Sequence, residues 1–96
     1  MLVLVAYDVN TETREGRRRL RRVAQACVDY GHRVQKSVFE CIVGEKELVL
    51  LRKRLLDEID VNKDSLRLYY MDENTRERTE VYGVNDVPDM EGPLIV

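Results

Sequence analysis

The chain has 96 residues, 44% hydrophobic and 35% charged, a balance that fits one soluble globular domain and excludes a disordered segment. Two cysteines without CxxC spacing and a single histidine exclude a disulfide framework, a His-rich metal site and a Ser-His-Asp triad. The formal net charge of −2, taken as a whole, argues against a polyanion as partner.

The distribution of charge argues the other way. Residues 1–36 carry eight Lys and Arg against four Asp and Glu, whereas residues 72–96 carry two against seven. A basic N-terminal module and an acidic tail are the better clue to a phosphate-bearing partner.

In chain order, Leu2 to Tyr7 is a continuous apolar run, predicting a strand buried on both faces. The segment lacks a basic leader and meets Asp8 too early for a signal peptide. No run approaches the ~18 apolar residues of a membrane span, so a cytoplasmic protein is expected. A polar loop from Val9 to Thr13 offers helix caps. A helix is predicted from about Arg14 to Tyr30, with Leu20, Val23, Ala24 and Cys27 on one face and Gly31 as its stop.

Arg33 to Val43 alternates between apolar and polar, as one long strand or as a tight hairpin near Lys36-Ser37. A second helix opens at Gly44-Glu45, with Leu48, Leu51, Leu55 and Ile59 as its apolar stripe. The cluster from Val61 to Asp64 reads as a turn, and Ser65 to Met71 as a strand. A charged loop covers Asp72 to Arg78, a short strand Thr79 to Gly83, and a strand-prone stub Leu94 to Val96.

This order predicts an α+β sandwich. Two helices cover one face of a sheet, yet the first strand is apolar on both. A second copy of the chain, packed sheet to sheet in a C2 homodimer, is the economical cover. The domain is placed at residues 1–83. The tail, residues 84–96, is expected to pair with an edge of the partner subunit.

Two features point to chemistry. Arg14, Arg17, Arg18, Arg19, Arg21 and Arg22 crowd the first half of the first helix. Like charges repel there, and a helix N-terminus is the wrong end for cations. A nucleic-acid backbone would relieve the strain, because guanidinium groups fork onto phosphate oxygens. The alternative is a solvated face partly neutralised by the acidic tail. Asp8 ends a buried strand, where a carboxylate can bind Mg²⁺ or simply cap the following loop. Paired across a dimer axis, two Asp8 residues make a plausible metal site.

The remaining residues carry weaker signals. Phe39 is placed to stack on a base, though a core or interface role is the stronger reading. Ser37 has no evident base, His32 reads as a surface or capping residue, and Cys27 as core.

Three motifs then line up: Tyr7-Asp8-Val9 closing the first strand, GRRRLRRVA from Gly16 to Ala24, and YGHRVQKSVFE from Tyr30 to Glu40. With the DSLRLYYM strand from Asp64 to Met71, they resemble the small CRISPR-associated spacer-acquisition proteins described as endoribonucleases. The resemblance spans nearly the whole chain.

It implies a ferredoxin-like fold (βαββαβ plus a C-terminal strand), which favours the hairpin, and a homodimer with facing sheets. It implies a metal-dependent nuclease on RNA or double-stranded DNA, with Mg²⁺ held by Asp8 and a CRISPR integrase subunit as partner. Tyr7, Arg17, Arg19, Arg33 and Phe39 match family positions near the site or in substrate contact, Tyr7 as a catalytic companion to Asp8. The resemblance also admits a non-catalytic role, a dimeric scaffold that holds DNA for integration, and less strongly a toxin-like nuclease on messenger RNA.

Overall fold

The computed structural model describes residues 1–84. The chain opens with β1 (Leu2–Asp8), followed by α1 (Arg14–Tyr30), β2 (Gly31–Gln35) and β3 (Val38–Ile42). Next come α2 (Glu45–Glu58) and β4 (Ser65–Met71), then a 3₁₀ turn at Glu73–Thr75. The sheet is antiparallel in the order β2-β3-β1-β4, the ferredoxin-like arrangement.

The chain reverses at Lys36-Ser37, so Arg33 to Val43 is a hairpin. A register shift between Arg33 and Gln35 bends β2 just before that turn.

β1 is central, and its period of two separates the faces of the sheet. Val3, Val5 and Tyr7 meet Phe39 and Cys41 of β3 on the helix side. Val23, Ala26 and Cys27 of α1 and Leu48, Leu51 and Leu55 of α2 close this core. Full burial of each valine, leucine and phenylalanine among them stabilises by about 1.5–3 kcal/mol. Burial pushes the Cys27 thiol up to about 12 and the Cys41 thiol up to about 11, so both behave as inert core residues. Among the described residues no helix is long and apolar enough to cross a membrane.

The other face of β1 is the one for which a second copy of the chain is the expected cover. Leu2 is covered, but Leu4 and Ala6 are only half-buried. Ile42 and Tyr69 around them are exposed by 52% and 38%, so the described residues leave this face open. The physical reason is that both helices lie in one layer.

Two expectations change. Thr79 to Gly83 forms no strand, and Val81, Tyr82 and Val84 stand out in solvent. Strand propensity cannot act without a neighbour to accept the ladder bonds, and nothing in the described chain supplies one. The stub Leu94 to Val96 lies outside the described residues.

Gly31 does cap α1, donating its N–H to the Cys27 carbonyl. Its backbone is extended at φ −165°, however, and the chain runs straight into β2. Glycine is required by contact: a Cβ here would strike the Glu40 carbonyl oxygen and the Cys41 Sγ.

Candidate nucleic-acid interface and carboxylate site

Asp8 is the last residue of β1 and is paired with Ser65 at the start of β4. The alternation that buries Tyr7 turns Asp8 to the open face, where it is exposed. No hydrogen-bond donor within the described residues reaches its carboxylate, so the loop-cap reading finds no support. Asp8 borders a shallow groove whose rim also holds Asn10, Asn62, Lys63 and Ser65.

Loop 9–13 is held from both ends. The Thr13 Oγ1 caps α1 by accepting the Gly16 N–H at 3.0 Å. Gly16 lies so close to the Asn10 carbonyl that any Cβ would collide with it. The Glu12 N–H donates to the Asn10 side-chain oxygen at 2.9 Å. The Asn10 N–H in turn donates to the Asp64 carboxylate at 3.0 Å.

Asp64 is the hub of this corner, with a side chain of 0% exposure. Its two oxygens accept from Arg19 Nε at 2.8 Å and Nη2 at 3.1 Å, a bidentate fork. They also accept the N–H groups of Asn10 and Asp60. The Arg19 guanidinium and these backbone donors hold its carboxyl at about 2, against the pull of burial. One carboxylate therefore joins α1, the loop after β1 and the α2–β4 turn. Sequence reasoning placed Asp64 in a turn cluster and at the head of the DSLRLYYM motif, with no role of its own. The available signal was a carboxylate at a turn-to-strand junction in a chain with a surplus of arginine on its first helix.

The six arginines of α1 fall into two groups. Arg19, expected on nucleic acid, is 16% exposed and is occupied by Asp64. Arg22 pairs with Glu58, and farther along the helix Asp29 pairs with Arg54 at 2.7 Å. These bridges tie α1 to α2. Arg14, Arg17, Arg18 and Arg21 are exposed and make no ion pair among the described residues. At about 100° per residue they share an arc of roughly 100°, turned away from the core and running along about 10 Å of helix. Arg17 is steadied by its Nη1, which donates to the Thr11 carbonyl at 3.2 Å.

Tyr7 and Phe39 are not at the surface. Their rings stack inside the core with centroids 6.2 Å apart, and Phe39 is 0% exposed. No base can reach the Phe39 ring, which corrects the stacking expectation. Tyr7 faces the helices while Asp8 faces away, so the two do not form a common catalytic pair within one chain. Burial first, then the nearby Cys27, raises the Tyr7 hydroxyl pKa, with Arg33 opposing. Arg33 itself is exposed on β2 with its guanidinium 5.0 Å above the Phe39 ring. The buried aromatics thus hold this guanidinium against the helix side of the sheet.

Within one chain, no group of three His, Cys, Asp or Glu side chains among the described residues could hold a metal ion. Asp8 supplies one hard, unpartnered oxygen donor. That suits Mg²⁺, which keeps several waters and takes one or two carboxylates.

Known proteins share this architecture. The profile of the family described as CRISPR associated protein Cas2 matches residues 1–79. A CRISPR-associated endoribonuclease Cas2 from Chlorobaculum tepidum is 55% identical, over 100% of both chains. A CRISPR-associated endonuclease Cas2 from Halalkalibacterium halodurans is 50% identical, over 99% of each. The crystal structure of Streptococcus pyogenes Cas2 superposes with a TM-score of 0.79 at 55% identity, covering 86% of this chain and 100% of that one. With the strand order, the exposed aspartate and the arginine helix already in place, these matches show that the chain belongs to the Cas2 family of CRISPR-associated proteins.

Proposed function

We propose that this protein is a homodimeric, metal-dependent endonuclease of CRISPR adaptation, cutting RNA or DNA phosphodiesters and working beside the integrase. The observation that carries the reading is the placement of Asp8. It is an unpartnered carboxylate at the rim of a sheet face, carrying Leu4, Ala6, Ile42 and Tyr69 beside Glu40 and Arg67, that the described residues leave open. A second copy laid on Leu4, Ala6, Ile42 and Tyr69 would bury that face and bring two Asp8 carboxylates toward one axis.

In that dimer the paired Asp8 carboxylates would hold Mg²⁺, which would supply Lewis-acid stabilisation of charge at a bound phosphodiester. Arg14, Arg17, Arg18 and Arg21 bind the phosphate backbone as an outward stripe, and the Asp64 corner keeps the loop after Asp8 in place. The names of the relatives, endoribonuclease in one and endonuclease in the other, support phosphodiester cleavage and leave RNA and DNA both open.

The test compares wild type and Asp8→Asn on labelled RNA and duplex DNA with and without Mg²⁺, beside light scattering for the dimer. Loss of cleavage with retained binding supports the reading. Cleavage by Asp8→Asn at the wild-type rate removes it.

A second reading has its own support. One chain gathers no three-ligand metal cluster among its described residues, and Tyr7 turns away from Asp8. On this reading the protein is a dimeric scaffold that clamps duplex DNA for the integrase. A pull-down of the integrase by an Asp8→Asn protein that still supports spacer uptake would select it.

A further inference from the structure

The groove beside Asp8 has a second wall, the turn between α2 and β4, and the family motifs assign no role to it. That turn is unusually well fastened. The N–H groups of Lys63 and Asp64 both donate to the Asp60 carbonyl, at 3.0 and 2.8 Å. The Asn62 N–H donates to Asp60 Oδ1 at 2.9 Å, and the Asp60 N–H to Asp64 Oδ2 at 2.8 Å. The backbone of Lys63 is therefore fixed next to Ser65, which pairs with Asp8 across the ladder.

Of the charged groups at this groove, Asp64 is spent on Arg19 and on backbone donors. Asp8 and Lys63 remain, one of each sign. The lysine is exposed and forms no ion pair among the described residues. A lone carboxylate would repel a phosphodiester; a cation carried by a well-held backbone on the same groove offsets it and gives the phosphate a place to rest.

We propose that Lys63 is a phosphate-binding residue, gripping one backbone phosphate of the nucleic acid on the groove it shares with Asp8. The proposal rests on the nucleic-acid reading above. It adds a contact from the α2–β4 turn to those expected of the arginine stripe on α1.

The experiment titrates a short fluorescent DNA duplex over a range of salt with wild type, Lys63→Ala, Lys63→Arg and Lys46→Ala. Lys46 is exposed on the first turn of α2 and its loss changes the net charge equally. Lys63→Ala should weaken binding roughly three- to tenfold at low salt and cut the log–log salt slope by about 0.9, one phosphate contact. Lys63→Arg should restore both, and Lys46→Ala should leave both at wild type. Melting temperatures of all four should agree, because every substitution is at an exposed side chain.

Equal effects of Lys63→Ala and Lys46→Ala, or no effect of either, overturn the proposal. The parent reading has its own control: wild type failing to bind duplex or RNA overturns both. Arg17→Ala with Arg18→Ala, read in the same titration, tests the arginine stripe separately from Lys63.

Discussion

Asp8 and Asp64 border the same groove and are chemically identical, yet the fold uses them in opposite ways. Asp64 is enclosed and accepts four hydrogen bonds, two of them from a guanidinium. Asp8 is exposed and accepts none among the described residues. A carboxylate whose donors are all supplied by the protein is a structural pin. One whose donors are withheld is available to a cation from solution. The difference arises from two neighbours: Ser65 lies opposite Asp8 across a strand pair, whereas Arg19 reaches Asp64 from the helix layer.

That contrast breaks most visibly if the two residues are exchanged in function. Asp8→Asn should lower metal-dependent cleavage by about 10²–10³-fold, the scale for removing one preorganised charge contact at a reacting centre. Its thermal unfolding should match or exceed wild type, because no internal bond is lost. Parallel nuclease and melting measurements check both halves.

Asp64→Ala should do the reverse in stability. It leaves the Arg19 guanidinium and the Asn10 and Asp60 N–H groups without acceptors, costing about 2–4 kcal/mol in a urea denaturation series. If Asp64→Ala melts like wild type, the pin is not a pin and the comparison fails.

The arginines repeat the lesson at smaller scale. Replacing Arg17 and Arg18 together with Ala should flatten the log–log salt slope for duplex DNA by about 1.8 with little change in melting. Arg19→Ala, one position along, should lower the melting temperature while barely altering that slope. The two variants, measured by the same titration and calorimetry, separate the outward stripe from the inward fork.

The smallest effect is with pH. The folded pKa of Asp64, about 2, lies below the ~3.9 of an unfolded aspartate. Its stabilising contribution is therefore full above about pH 4 and lost as pH falls toward 2. Acid unfolding of Asp64→Asn should be flatter than wild type across that window, and coincident curves would deny the linkage.

Several features of the chain are visible in its order of residues. The apolar run of β1, the 3.6-residue stripes of both helices and the turn from Val61 to Asp64 follow from local periodicity and composition, which act within a few residues. Asp8 as the exposed carboxylate at a strand end was visible for the same reason. Ala26 is buried although it lies to one side of the stripe of Leu20, Val23, Ala24 and Cys27, because the core face of α1 is wider than that stripe.

What the order of residues could not decide depends on partners distant along the chain. Arg19 and Asp64 are 45 residues apart; helical spacing sets Arg19 beside the apolar stripe and Arg18 away from it, but cannot name the partner that Arg19 finds. Tyr7 and Asp8 are neighbours in sequence and opposed in space, since strand parity sends them to different faces and only the packed helices reveal which face is the core. Thr79 to Gly83 has strand composition but no neighbour in the described chain, and a ladder needs two strands. Local propensity proposes a conformation and an amphipathic face. Burial, and the charge or strand brought across from elsewhere in the fold, settles which arginine is a pin, which carboxylate is free and which segment pairs.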